Sequence, residues 1–177
     1  MATCVTLSGG ALPAYLINAA DCFLAGRIVA VALIPISKAF VDITDATEWN
    51  QDVIDGNIIL FKETRGSYPR ASAVTAPSRG TQDTKTVGAS HTMNFFTNYV
   101  KGNHGFWNAL RYSSSFKIAF VVGNYDSLYY VNVACSIDGQ PPVDESINSE
   151  TEWDVQVTWS DANTPEISDV PPGVFTT

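Results

Sequence analysis

Beyond Lys117 the chain contains neither lysine nor arginine. All ten bases fall in residues 1–117 beside eight acids, a sum of +2, while residues 118–177 carry ten acids and no base, a sum of −10. Proteins that grip nucleic acid neutralise phosphates with a basic surface, so this balance argues against a general nucleic-acid binder. An acidic second half is expected to form a solvated face; alternatively it is one pole of a molecule that stacks head to tail on copies of itself. Charge of either sign is scarce, at 16% of residues against the ~25% usual in soluble domains. Low charge with abundant Ser, Thr, Asn, Val and Gly points to β structure or to large surfaces covered by neighbouring subunits.

Long apolar runs are missing too. The longest, IVAVALIPI at residues 28–36, has nine residues and contains Pro35, far short of the ~20 that span a bilayer. The N-terminus has no basic region ahead of its apolar residues and makes a poor signal peptide, so no membrane or export address is expected. Cys4, Cys22 and Cys135 match no zinc template and leave at least one thiol unpaired. Buried free thiols in a reducing cytoplasm are the expected state, with a Cys4–Cys22 bridge as the alternative.

Motifs for chemistry are equally sparse. There is no G-x-S-x-G, no phosphate-binding glycine loop and no EF-hand spacing among Asp42, Asp45, Asp52 and Asp55. Ser114-Ser115-Phe116-Lys117 matches S-x-x-K but lacks the companion motifs of the enzymes that use it. His91 and His104, the two histidines, have no metal-binding partner at i, i+4, and His104 suits a helix start. The acid pairs Asp144-Glu145 and Glu150-Glu152 beside Pro141-Pro142 read as solvated rather than as glycosidase carboxylates. Trp49, Trp107, Trp153 and Trp159 are candidates for a carbohydrate-binding platform, but Trp153 and Trp159 share a strand face with Val155 and Val157, as core residues do. The expectation is no enzyme activity, no cofactor and no small-molecule substrate.

The chain of 177 residues reads as one domain. GRIVAVALIPI is a β-branched strand. Residues 43–56 favour strand–turn–strand around Asp55-Gly56, although Asp45 and Glu48 have the spacing of a helix capping box. Residues 64–86 form the longest irregular stretch, carrying Arg65, Arg70, Arg79 and Lys85 against Asp83. Loops of this length in a compact domain are functional or partner-ordered. A strand at 87–100 leads to one amphipathic helix with Asn103 as a candidate cap and Phe106, Trp107 and Leu110 on its buried side. A hairpin follows at 116–124 and 128–138, then the strand TEWDVQVTWS. The Pro-rich, acidic end at 161–177 reads as an extended arm. The sum is a mainly β protein: an antiparallel β-sandwich or rolled barrel with one short α-helix.

Three stretches of the second half, TVGASHTMNFFTNY, GFWNALRYSSSFKIAFVV and LYYVNVACSIDGQPPVDESINSETEWDVQVTWS, carry a resemblance. Together they resemble the C-terminal half of phage tail-tube and tail-tube-like virion proteins: strand, helix, hairpin, a segment around P…D, and a closing strand. The opening MATCVTLSGG, GRIVAVALIPI, DITD and EWN is similar to virion proteins of tailed phages infecting Bacteroidetes, crAss-like phages among them. The resemblance implies a structural subunit assembled in the host bacterial cytoplasm into a ring of the virion. Its partners would be copies of itself and neighbouring virion proteins, and genome DNA would pass without sequence-specific binding. Arg65, Arg70, Arg79 and Lys85 on one side, and Glu152, Asp154, Glu166 and Asp169 on the other, are then the candidate assembly residues. Within the same class a capsid decoration protein is the rival; a carbohydrate-binding or adhesin module of a tail fibre is the alternative from another class.

Overall fold

The computed structural model describes residues 26–77, 84–98, 100–111, 113–123, 125–143 and 151–176. Cys4, Cys22, Arg79, Asp144, Glu145 and Glu150 lie outside the described residues. The strands are β1 (Ile28–Pro35), β2 (Ile59–Phe61), β3 (Arg65–Ser67), β4 (Ser72–Pro77), β5 (Thr84–Thr97), β6 (Ser113–Val122), β7 (Ser127–Gln140), β8 (Trp153–Asp161) and β9 (Glu166–Asp169). The helices are α1 (Ala46–Ile54) and α2 (His104–Leu110). All pairings are antiparallel, and β1, β3, β5, β8, β7 and β6 close into a six-stranded barrel when β6 returns to β1.

Three strands share an edge between two partners. β2 and β3 divide one edge of β1, β3 and β4 divide one edge of β5, and β8 and β9 divide one edge of β7. The unbroken apolar run of β1 follows from burial on both faces. Ile28, Val31 and Leu33 enter the barrel core, while Ala30, Ala32 and Ile34 face a second cluster outside it. A register shift between Ile28 and Ala30 puts Ile28 and Val31 on the same side despite their odd spacing.

The barrel interior is filled by side chains from alternate positions. Met93, Phe95, Ile118, Phe120, Val131, Ile137, Val155 and Val157 are buried there, as the alternation along a barrel strand requires. The expected inner face of β8 holds: Trp153, Val155, Val157 and Trp159 are all buried. α2 supplies Trp107 and Leu110 to the same core. Trp107 lies flat against Gly139, where a Cβ would sit 3.1 Å from its ring. Further along the strands, His91 is buried and stacked on Trp159 at 5.2 Å. The Tyr68 hydroxyl donates to His91 Nδ1 at 2.6 Å, and His91 Nε2 meets the Asp161 carbonyl at 3.2 Å.

Several expectations are corrected. Residues 43–56 hold α1, not two strands: the Asp45 carboxylate accepts from the Thr47 N–H at 2.8 Å, and Gly56 at φ 75° ends the helix. The Asp55-Gly56 turn signal was real but belongs to a helix terminus. Among the described residues two helices replace the expected one. Residues 64–86 are not one irregular loop, since they include β3, β4 and the start of β5. The 161–177 segment is no free arm: β9 pairs with β7, and Val174 and Phe175 are buried beside Trp49 of α1.

An ion triad ties α1 to the segment after β1. Lys38 Nζ lies 2.7 Å from Glu48 and 2.6 Å from Asp52, one helical turn apart. Burial pulls the Lys38 ammonium down, but the bonds to Asp52 and Glu48 outweigh it and hold it above 10.5. Burial likewise pushes Glu48 up, yet Lys38 and the Val41 and Asp42 N–H groups hold it below 4.5; the Lys38 bond holds Asp52 below 3.8. The carboxylates therefore stabilise the fold fully above those ordinary values and lose this as pH falls through their lower folded values. The lysine contributes below its ordinary value and loses its share as pH rises through the higher folded one. Thermal melts from about pH 6 to about pH 2 are expected to fall less steeply for Lys38→Met than for the native chain. An equal slope for both would remove the triad as a source of stability.

Candidate assembly surfaces

Because β8 pairs with β5 only from Ala89 onward, residues 84–88 of β5 have β4 alone as partner. The result, among the described residues, is a two-stranded ribbon, 74–77 against 84–88, running past the barrel. Ser72, Ala73, Val74 and Thr75 are exposed along β4, as are Thr86 and Val87 of β5, the last at 61%. A two-stranded ribbon is marginal alone in water, and its open edges can pair with another strand. Lys85 occupies this ribbon opposite Ala76, and Arg70 is exposed at its base in a cleft with Pro69, Ala89 and Asn163.

The outer face of β5, β8 and β7 is a ladder of polar rows. Ser90 pairs with Ser160, Thr92 with Thr158 and then Ser136, Asn94 with Gln156 and then Asp138, Phe96 with Asp154 and then Gln140. No lysine or arginine occupies these rows; Arg111, just after α2, pairs with Asp138 at 3.0 Å. Asn94 Oδ1 and Asp154 Oδ1 are both buried with no hydrogen-bond partner among the described residues, and burial pushes the Asp154 carboxyl up.

The predicted charged residues are brought together in one unexpected way. Arg65 and Glu152, expected on opposite poles, form an ion pair within one molecule, with the guanidinium also 4.8 Å from the Phe96 ring. Glu166 and Asp169 are exposed at the two ends of β9, away from that pair. The sequence reading missed a second set: Arg27, Lys62, Glu63 and Thr64 line the same cleft as Arg65 and Glu152. No local pattern announces it, because its residues come from the start of β1, the bend between β2 and β3, and the adjoining ends of β5 and β8.

The other singled-out residues are committed to structure. All four tryptophans are buried, none above 4% exposure, so none offers a sugar platform. Lys117 is buried with Nζ on the Lys38 carbonyl at 2.8 Å. Cys135 is buried in the barrel, where desolvation pushes its thiol up to about 12. His104 opens α2, next to Asn103, whose side chain makes no cap bond. Among the described residues no helix is long and apolar enough to cross a membrane, and no three of His, Cys, Asp and Glu cluster as metal ligands. No family model, no curated protein and no solved structure matches this chain.

Proposed function

We propose that this chain is a non-enzymatic structural subunit of a tailed-phage virion. Its copies form a ring of the tail tube or neck, with the outer face of β5, β8 and β7 turned toward the DNA. The observation that carries this reading is the polar ladder from Ser90–Ser160 to Phe96–Asp154–Gln140, which contains hydroxyls, amides and carboxylates but no base. A conduit must pass a polyanion without holding it. Each lysine or arginine that meets a phosphate adds salt-dependent affinity, and the two arginines that reach this face, Arg65 and Arg111, are each already paired with an acid. The ribbon of β4 and β5 supports self-association, since its edges, unpaired with any strand among the described residues, can exchange water for the backbone of another strand. The tail-tube resemblance implies the same kind of assembly.

The test is light scattering on the full chain across a concentration series, followed by negative-stain microscopy. Closed rings with a central channel are expected. In a Gln156→Lys, Thr158→Lys variant the rings should still form but retain duplex DNA at low salt, where the native rings do not. A chain that stays monomeric at every concentration, or rings whose DNA retention ignores the added lysines, would overturn the reading.

A further inference from the structure

The cleft lined by Arg27, Lys62, Thr64 and Arg65 encloses about 430 Å³. Three of the ten bases of a chain with net charge −8 thus meet in one depression. Arg65 is neutralised by Glu152. Lys62 gives a 2.7 Å hydrogen bond to the Thr176 carbonyl but keeps its charge. With Arg27 it outweighs Glu63, so the cleft favours an anion.

Thr64 supplies an independent sign of a ligand. It is 4% exposed, and its hydroxyl has no hydrogen-bond partner among the described residues. Buried polar groups are normally paired. The backbone holds the residue there at a cost: Glu63 takes φ 56°, a conformation unfavourable for a residue with a side chain. The Thr64 N–H meanwhile bonds the Val29 carbonyl at 3.0 Å. The oxygen is sealed from solvent, so an acceptor in the cleft would satisfy it only once the side chain turns toward the opening.

We propose that this cleft receives the acidic edge strand β9 of a second copy. Among the described residues β9 pairs with β7 alone, along one edge, and Glu166, Ile167 and Asp169 are exposed, Ile167 at 59%. Glu166 on one face of β9, and Ile167 with Asp169 on the other, give either face an acid to set against Arg27 and Lys62. The cleft and the strand share no residue, so each copy gives its strand to one neighbour and takes a strand from another. Such a contact is heterologous and propagates into a ring or a filament. The inference rests on the self-assembly proposed above and names the two surfaces that meet.

Charge reversal and rescue test it. Arg27 and Glu166 are both exposed, so the full-length variants Arg27→Glu and Glu166→Arg should melt like the native chain. Each alone is expected to raise the concentration of half-assembly by about tenfold or more. The double variant should return to within about threefold of native, because the reversed pair attracts again. Thr64→Val should melt as the native monomer or higher, having lost an unpaired hydroxyl, yet assemble more weakly. If native chain assembles but the double variant shows the summed defect of both singles, the socket is wrong and the structural role stands. If neither single reversal shifts assembly, the socket is likewise wrong. Native chain that remains monomeric throughout would remove both.

Discussion

Replacing Gly66 with alanine is expected to open the barrel, lowering stability by about 3 kcal/mol or more. β3 is the shortest link in the barrel wall: Gly66 pairs with Ile28 on one side and with Phe95 on the other. A Cβ at this position would stand 2.4 Å from the Asn94 carbonyl oxygen and 3.0 Å from Phe95 Cβ. Both belong to a strand that is itself paired to β8, so neither can withdraw without disturbing the polar face and the core together. A loss of that size corresponds to roughly 6–12 °C in melting temperature for a domain in this size range. Gly88→Ala is the matched control, since nothing lies within 4 Å of its Cβ position, and its effect should stay within about 0.5 kcal/mol. Urea titration followed by near-ultraviolet dichroism distinguishes them. Equal midpoints for the two variants would mean that β3 tolerates a wider gap than its contacts imply.

Phe175→Ala is expected to cost about 3–5 kcal/mol, the range for removing a buried aromatic ring. The ring is fully buried and meets Trp49 at 5.2 Å, while Trp49 stacks on Phe40 at 4.6 Å and bonds the Ile43 carbonyl through Nε1 at 2.7 Å. This cluster lies between α1 and the outer face of β1, so Val174 and Phe175 hold α1 in place. Limited proteolysis should cut the variant within 43–56 under conditions that leave the native chain whole. Ile167→Ala, on the exposed side of β9, is the contrast and should change stability by less than about 0.5 kcal/mol. Indistinguishable urea midpoints for these two substitutions would show that the C-terminal segment contributes no packing.

The elements that the sequence announces clearly are those whose burial repeats at short range. β1 was legible from its unbroken β-branched run, the β6–β7 hairpin from two apolar runs about a turn, and the inner face of β8 from its alternation. α1 was ambiguous because Asp45 and Glu48 signal a helix start while Asp55-Gly56 signals a turn, and both are present in one element. β3 and β4 have three and six residues, too short and too exposed to carry a burial pattern of their own. Their strand character comes from pairing with β5, which local composition does not report. Val174 and Phe175 looked like part of a proline-rich tail because the surface that buries them is more than a hundred residues earlier. The charged candidates show the same limit. Sequence showed that bases and acids separate along the chain, but Arg65 and Glu152, 87 positions apart, meet within one molecule.

The double burial of β1 has a consequence in time as well as in space. Its wall partner β6 begins 78 residues after Pro35, a delay on the order of ten seconds at ribosomal speeds of about 5–20 residues per second. Until then, among the described residues, only β2 and β3 can cover one edge, and the nascent chain displays its most apolar, most β-prone segment unfinished. Non-local pairing of this kind makes folding slow. The same eight residues that anchor both cores are therefore the stretch on which a chaperone has the longest hold.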